Sequence, residues 1–206
     1  MSLKTGIPKL SKKKIIELSE IWIDSIKVNL FENTYLDLER VFLYLQSYEK
    51  LAYYERPLGV IDNKKILGLM VPKQNTIYID TSLNLNISMK RFTQAHELAH
   101  WILHRNLDLS DYTLEDTHES LNQQRTLIST YDWIEWQANT YAAFLLMPKT
   151  IFMSTMSSIL SKLNFPNKFT QLSPYQLSKV IKVLSFKFQV SQTSVMIHVN
   201  SLKHLF

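Results

Sequence analysis

The 206-residue chain is 46% hydrophobic and 20% charged, the balance of a folded globular protein, and is long enough for one good-sized domain or a domain with a small appendage. It has no cysteine, which excludes a disulfide framework and any Cys-ligated zinc finger and leaves His, Asp and Glu as metal-binding residues. The net charge of +5 permits an acidic or nucleic-acid partner, but the lysines are dispersed apart from Lys12, Lys13 and Lys14, a cluster that reads as a solvated helix start.

Residues 1–20 lack the apolar core and small-residue cleavage site of a signal peptide. No run reaches the roughly 18 apolar residues of a membrane span, so a soluble, cytoplasmic protein with no membrane contact is expected. Ser11 is placed to cap a helix whose inner face is Ile15, Leu18, Trp22 and Ile26. The pattern predicts a second helix from Thr34, with Asp37 at capping-box spacing and Leu38, Val41, Phe42 and Leu45 facing inward. LAYYE, VIDNKKILGLMV with its Asp-Asn turn, and TIYID after the turn-like PKQN then read as a sheet of three or four strands over residues 51–80.

Ser88 is a candidate cap for the helix carrying RFTQAHELAHWILH, residues 91–104. Residues 105–131 are polar and without sustained period, a connection whose length suggests function or mobility. Asp132 introduces the apolar helix DWIEWQANTYAAFLLMP, in which Trp133, Trp136 and Tyr141 read as core. Helices follow at about 149–163 and 174–188, and Ser191 caps a short last one. With only three glycines, a Gly-rich phosphate loop is excluded.

Residues 96–100, HELAH, fit H-E-x-x-H. On a helix His96 and His100 stand one turn apart on one face, about 6 Å along the axis, so two nitrogens can converge on one ion. Glu97, about 100° further round, is placed to take a proton from water activated by that ion. With six His and ten Glu in the chain, chance yields the pattern about 0.01 times. A core helix that merely carries imidazoles is the competing reading, and the apolar back formed by Phe92, Ala95, Ala99, Ile102 and Leu103 suits either.

A catalytic metal needs a third protein ligand. Glu135 and Asn139 share a helix face, so Glu135 can bind the ion while Asn139 bonds a ligand imidazole. Asp132 and Glu135 also have capping-box spacing, and the residues alone leave both readings of Glu135 open. His104 lies in register with His96 and His100, but three successive turns of one helix cannot surround one ion. It is expected to be a buried hydrogen-bonding partner or a partner of the helix C-terminus. His118, Tyr141 and Tyr78 are candidates for steadying the oxyanion, although a surface residue of no special role is the favoured reading of His118.

RFTQAHELAHWILH followed by EWQANTYAAFLLMP resembles the paired signature of the ImmA/IrrE family of bacterial metallopeptidases, RFTxAHELGHxxLH and ExxANxFAAxLLMP. Two departures, Ala99 for Gly and Tyr141 for Phe, keep a good helix former and an aromatic ring. The resemblance implies His96, His100 and Glu135 as ligands of one divalent ion, zinc first and Mn2+ or Fe2+ as alternatives, with Glu97 as general base. It implies an α+β, mainly helical fold. A small mixed or antiparallel sheet packs beside the HExxH helix and a second ligand-bearing helix, like the gluzincins, and TIYID is the edge strand that pairs with substrate.

The expected organisation is a zincin-like metallopeptidase domain over 1–150, including the N-terminal helices, and a C-terminal helical module over 151–206 weakly similar to a helix-turn-helix. The last helix is expected to expose Gln192, Thr193, His198 and Asn200 but no arginine, so direct DNA binding is not expected. The implied function is metal-dependent cleavage of a specific intracellular protein, a helix-turn-helix repressor encoded nearby, to derepress genes. The alternatives are a non-catalytic, metal-containing repressor-binding module and a DNA-binding regulator.

Overall fold

The computed structural model describes residues 8–26, 29–61, 63–107, 115–117 and 129–202. Its order is α1 (Lys12–Ser25), β1 (Phe31–Glu32), β2 (Tyr35–Leu36), α2 (Leu38–Tyr48), β3 (Ala52–Glu55), β4 (Val60–Ile61), β5 (Lys64–Val71), β6 (Thr76–Ile79), α3 (Ile87–His104), β7 (Glu115–Thr117), α4 (Thr130–Leu146), α5 (Lys149–Lys162), α6 (Pro174–Phe188) and α7 (Gln192–Leu202). This is the expected α+β architecture, mainly helical with a small mixed sheet. Among the described residues no single helix is long and apolar enough to cross a membrane.

Local chemistry sets the helix starts, in three places not where the sequence pattern put them. Thr34 lies in the β1–β2 hairpin, and α2 begins after Asp37, whose carboxylate accepts from the Arg40 amide. Asn86, not Ser88, caps α3 through the Met89 amide. Ser129, not Asp132, caps α4; Asp132 is the return arm of that capping box, so Glu135 is not needed at the helix start. Asp, Asn and Ser cap about equally well, so composition alone does not choose among neighbours.

The strand order is β3-β6-β5-β4, with β7 also on β5. β3 runs parallel to β6; the pairs β6–β5, β5–β4 and β5–β7 are antiparallel. The stretch TIYID is therefore not an edge. Its strand β6 is hydrogen-bonded on both sides, and Ile77 and Ile79 are fully buried. The outer side of β5 carries β4 near Lys64 and β7 from Ile66 to Leu69.

The helix α3 packs across one face of the sheet and against α4. The buried Arg91 on α3 donates to the carbonyls of Leu36 and Gln189, tying the hairpin and the α6–α7 turn to the helix. Trp101 donates to Asn75 at 2.6 Å, and Asn75 in turn donates to the carbonyls of Glu49 and Lys50, which fastens the β5–β6 turn to the other end of α3. These bonds hold α3 near both of its ends.

One residue of the last helix differs from expectation. His198 is 1% exposed, its ring between Phe144 and Phe152 at 4.6 and 4.7 Å. The exposed polar face of α7 is thus Gln192, Thr193 and Asn200. Burial, with a smaller push from Lys12, lowers the His198 pKa from 6.5 to about 3, against a slight opposing pull from the Met147 backbone. The unfolded chain takes up this proton near pH 6.5 and the folded one does not until about pH 3. Stability from this residue is therefore lost as pH falls through that window, by up to about 1.4 kcal/mol per pH unit. Between pH 7 and pH 5, urea unfolding of the wild type should lose about 2 kcal/mol more than that of His198→Leu. Equal losses would show that His198 is not responsible.

Candidate metal centre

Four chemistry-bearing side chains of α3 lie at helical spacing on its buried length: His96, Glu97, His100 and His104. Across from them α4 contributes Glu135 and Asn139. His96 pairs with Asn139 and His100 with Glu135, so the two helices run antiparallel. His96, His100 and Glu135 are at most 1% exposed.

The Nε2 atoms of His96 and His100 are 2.8 Å apart. Glu135 places Oε2 at 3.6 Å from His96 Nε2 and Oε1 at 3.4 Å from His100 Nε2. One ligand atom from each of the three residues lies within 4.8 Å of the others. The other nitrogen of His96, Nδ1, lies 2.9 Å from Asn139 Oδ1, an acceptor. Nδ1 therefore carries the proton, and the Nε2 lone pair faces His100. Two ring nitrogens that close are stable only with a proton or cation between them, and a buried carboxylate beside them supplies the balancing charge. Burial pushes the Glu135 pKa up, but His100 and His96 more than offset this and hold it well below the usual carboxylate range. Two imidazoles and a carboxylate are the donor set of a catalytic zinc site with one position left open.

Glu97 is fully buried on the sheet side of α3. It faces Gly68 in the middle of β5, where an added Cβ would overlap the Glu97 carboxylate and come within 2.7 Å of Thr93 Cγ2. The glycine thus makes room for the acid. Sequence reading passed over it, although a glycine inside a strand is itself a sign of close approach. Gly68→Ala is expected to destabilise the fold by about 1–3 kcal/mol through overpacking, read as a lower thermal midpoint. An unchanged midpoint would mean that β5 and α3 separate freely here.

The cluster does not recruit either tyrosine proposed as oxyanion partner. Tyr78 pairs with Tyr54 on the sheet face opposite α3, stacked at 5.7 Å under the Arg56 guanidinium. Its neighbours Ile77 and Ile79 take the helix side. Tyr141 stands about 200° round α4 from Asn139, and its buried hydroxyl has no hydrogen-bond partner. Burial pushes its pKa up. His118 lies outside the described residues.

His104 is 1% exposed and its Nδ1 is 3.0 Å from His100 Nδ1, a buried hydrogen-bond partner one turn on. Burial, aided by His100, pushes its pKa down to about 3, so it is neutral. Trp133 and Trp136 are half-buried and meet edge to face at 5.5 Å, and Tyr141 is wholly buried, in keeping with a packing role for all three.

The family model of the IrrE N-terminal-like domain, Peptidase_M78, matches residues 50–169, more than half of the chain and the whole stretch from β3 to α4. No curated protein matches the chain.

Proposed function

Since the chain belongs to the IrrE N-terminal-like family of metallopeptidases, we propose that it is a zinc-type endopeptidase that cuts a specific intracellular protein. In this reading His96, His100 and Glu135 hold the ion, Mn2+ or Fe2+ being other occupants compatible with the donors. Glu97 is the general base. The observation that carries it is the buried convergence of two ring nitrogens and a carboxylate beside a second, separately housed carboxylate.

Bound there, the ion supplies Lewis acidity to water and to the scissile carbonyl. The rest of the work falls to the chain's own groups. Asn139 holds the His96 ring in the tautomer that presents Nε2. Glu97 accepts the proton of the attacking water and returns it to the departing amine. Gly68 keeps that carboxylate uncrowded. Beside Glu97, β5 is paired with β6 on one side and with β7 on the other, so an extended substrate would add along the outer side of β7 and not against β6.

The substrate proposed is a helix-turn-helix repressor encoded nearby, a reading that rests on the family resemblance. In it, the protein acts in the cytoplasm, residues 1–150 form the peptidase domain and 151–206 a helical module that contacts the partner. The direct test incubates metal-loaded protein with that repressor and maps fragments by mass spectrometry. A single defined cut supports the reading, and a fully intact repressor removes that substrate.

One observation favours a second reading, a DNA-binding regulator. From Trp136 to Phe206 the sequence holds seven lysines and no Asp or Glu. Against it, the exposed face of α7 carries no basic side chain among the described residues. A mobility shift of duplex DNA that weakens steeply with salt would support it, and no shift at low salt would remove it.

A further inference from the structure

Where the β1–β2 hairpin, the start of α3 and the α6–α7 turn meet, they form a cleft of about 710 Å³. Asn33 and Tyr35 line it from the hairpin, Ile87 from α3, and Lys182, Phe186 and Lys187 from α6. Its walls are tied to one another. The Thr34 hydroxyl donates to the Lys187 carbonyl at 2.8 Å, and Arg91 donates to the carbonyls of Leu36 and Gln189. A cleft braced in this way loses little entropy when a ligand orders against it.

Two features of the cleft serve no purpose in the fold itself. The first is apolar: Phe186 is 84% exposed and Ile87 57%. Phe186 stands about 200° round α6 from the buried Leu184, on the side away from the core. Apolar side chains grouped on one concave surface are the usual mark of an interaction site. The second feature is charge. Lys182 and Lys187 are exposed and have no ion-pair partner among the described residues, and no Asp or Glu lines the cleft. Glu32, next to Asn33, accepts from the Tyr35 hydroxyl at 2.8 Å. From Trp136 to Phe206 the sequence has no acid at all, so α6 and α7 supply none.

We infer that this cleft is a docking site for a protein segment that carries carboxylates beside apolar side chains. The apolar groups pack on Phe186 and Ile87, and the carboxylates meet Lys182 and Lys187. Nucleic acid fits less well, since its backbone brings phosphates without apolar surface and the lining holds only two lysines and no arginine. A second copy docked symmetrically would set lysine against lysine. Ser88 also lines the cleft, eight residues before His96 on the same helix and so about 12 Å away along the axis. About four extended residues span that distance, which puts a chain anchored here within reach of the metal centre. That consequence rests on the peptidase reading; the docking itself does not.

Two fluorescent pools of short peptides test it, both randomised over Leu, Phe and Gly, one adding Glu and the other Lys. By fluorescence polarisation the Glu pool should bind the full-length protein at least about tenfold more tightly than the Lys pool, by a margin that shrinks as salt is raised. In 15N-labelled protein the Glu pool should shift the amides of Ile87, Phe186, Lys187 and Gln192, all at the cleft. The double variant Lys182→Glu, Lys187→Glu and the single variant Phe186→Ser should each weaken binding at least about fivefold. Their thermal midpoints should match the wild type, because all three side chains are exposed. Equal binding of the two pools, no binding of the Glu pool, shifts away from the cleft, or variants that bind like the wild type would each overturn the inference. So would a DNA duplex that shifts the same amides at lower concentration, or a dimer that Phe186→Ser turns into a monomer. Neither metal nor hydrolysis enters these readouts, so a failed peptidase reading leaves them decisive, and failed docking leaves the peptidase reading standing.

Discussion

Glu135→Ala is expected to leave the purified protein with little or no divalent metal, where the wild type carries close to one ion per chain. Glu135 is the sole carboxylate facing the two Nε2 atoms among the described residues, and it comes from the opposite helix, so two histidines of α3 would remain to hold the ion. Losing one of three ligands should weaken binding by at least about 100-fold, beyond the loss seen for a supporting residue. The variant also removes the buried negative charge beside the two imidazoles, so the metal-free fold should be less stable than that of the wild type. Glu135→Gln separates these effects, since it keeps the side-chain volume without the charge. Elemental analysis after gel filtration reads the outcome. Full metal retention in Glu135→Ala would place the third ligand elsewhere.

Glu97→Gln should do the opposite, with metal and fold retained and hydrolysis lost. The amide fits the space left by Gly68 but cannot accept the proton of water. General-base loss costs about 10²–10⁴-fold in rate, and more when the water is poorly activated without it. Over a fixed incubation, repressor that the wild type consumes should stay intact with the variant. Equal consumption by the two proteins would mean that another group takes the proton.

The H-E-x-x-H spacing was readable because helical geometry is local. Residues four apart in sequence must share a face, whatever surrounds them. The same rule placed Asn139 beside a ligand ring from its spacing to Glu135. What the sequence did not disclose was mostly non-local. Whether TIYID is an edge or a central strand depends on which strands flank it, and the parallel partner β3 lies across a crossover that no period-two pattern reports. Gly68 and Gln137 have partners 29 and 129 positions away, Glu97 and Pro8, and neither residue type is distinctive by itself. His198 was misplaced because an imidazole was taken as an outward-facing polar group, although it stands at helical spacing with the buried Val195, Val199 and Leu202 of α7. The helix starts shifted for the reverse reason: too many good caps stood close together.

X-ray absorption on the zinc-loaded protein counts the imidazoles around the ion without reference to any substrate. The cluster of His96, His100 and Glu135 requires one ion per chain with two histidine ligands, and nitrogen and oxygen donors at about 2.0–2.2 Å, no sulfur among them. An ion surrounded by oxygen alone, three bound imidazoles, or no stoichiometric ion after loading would contradict it.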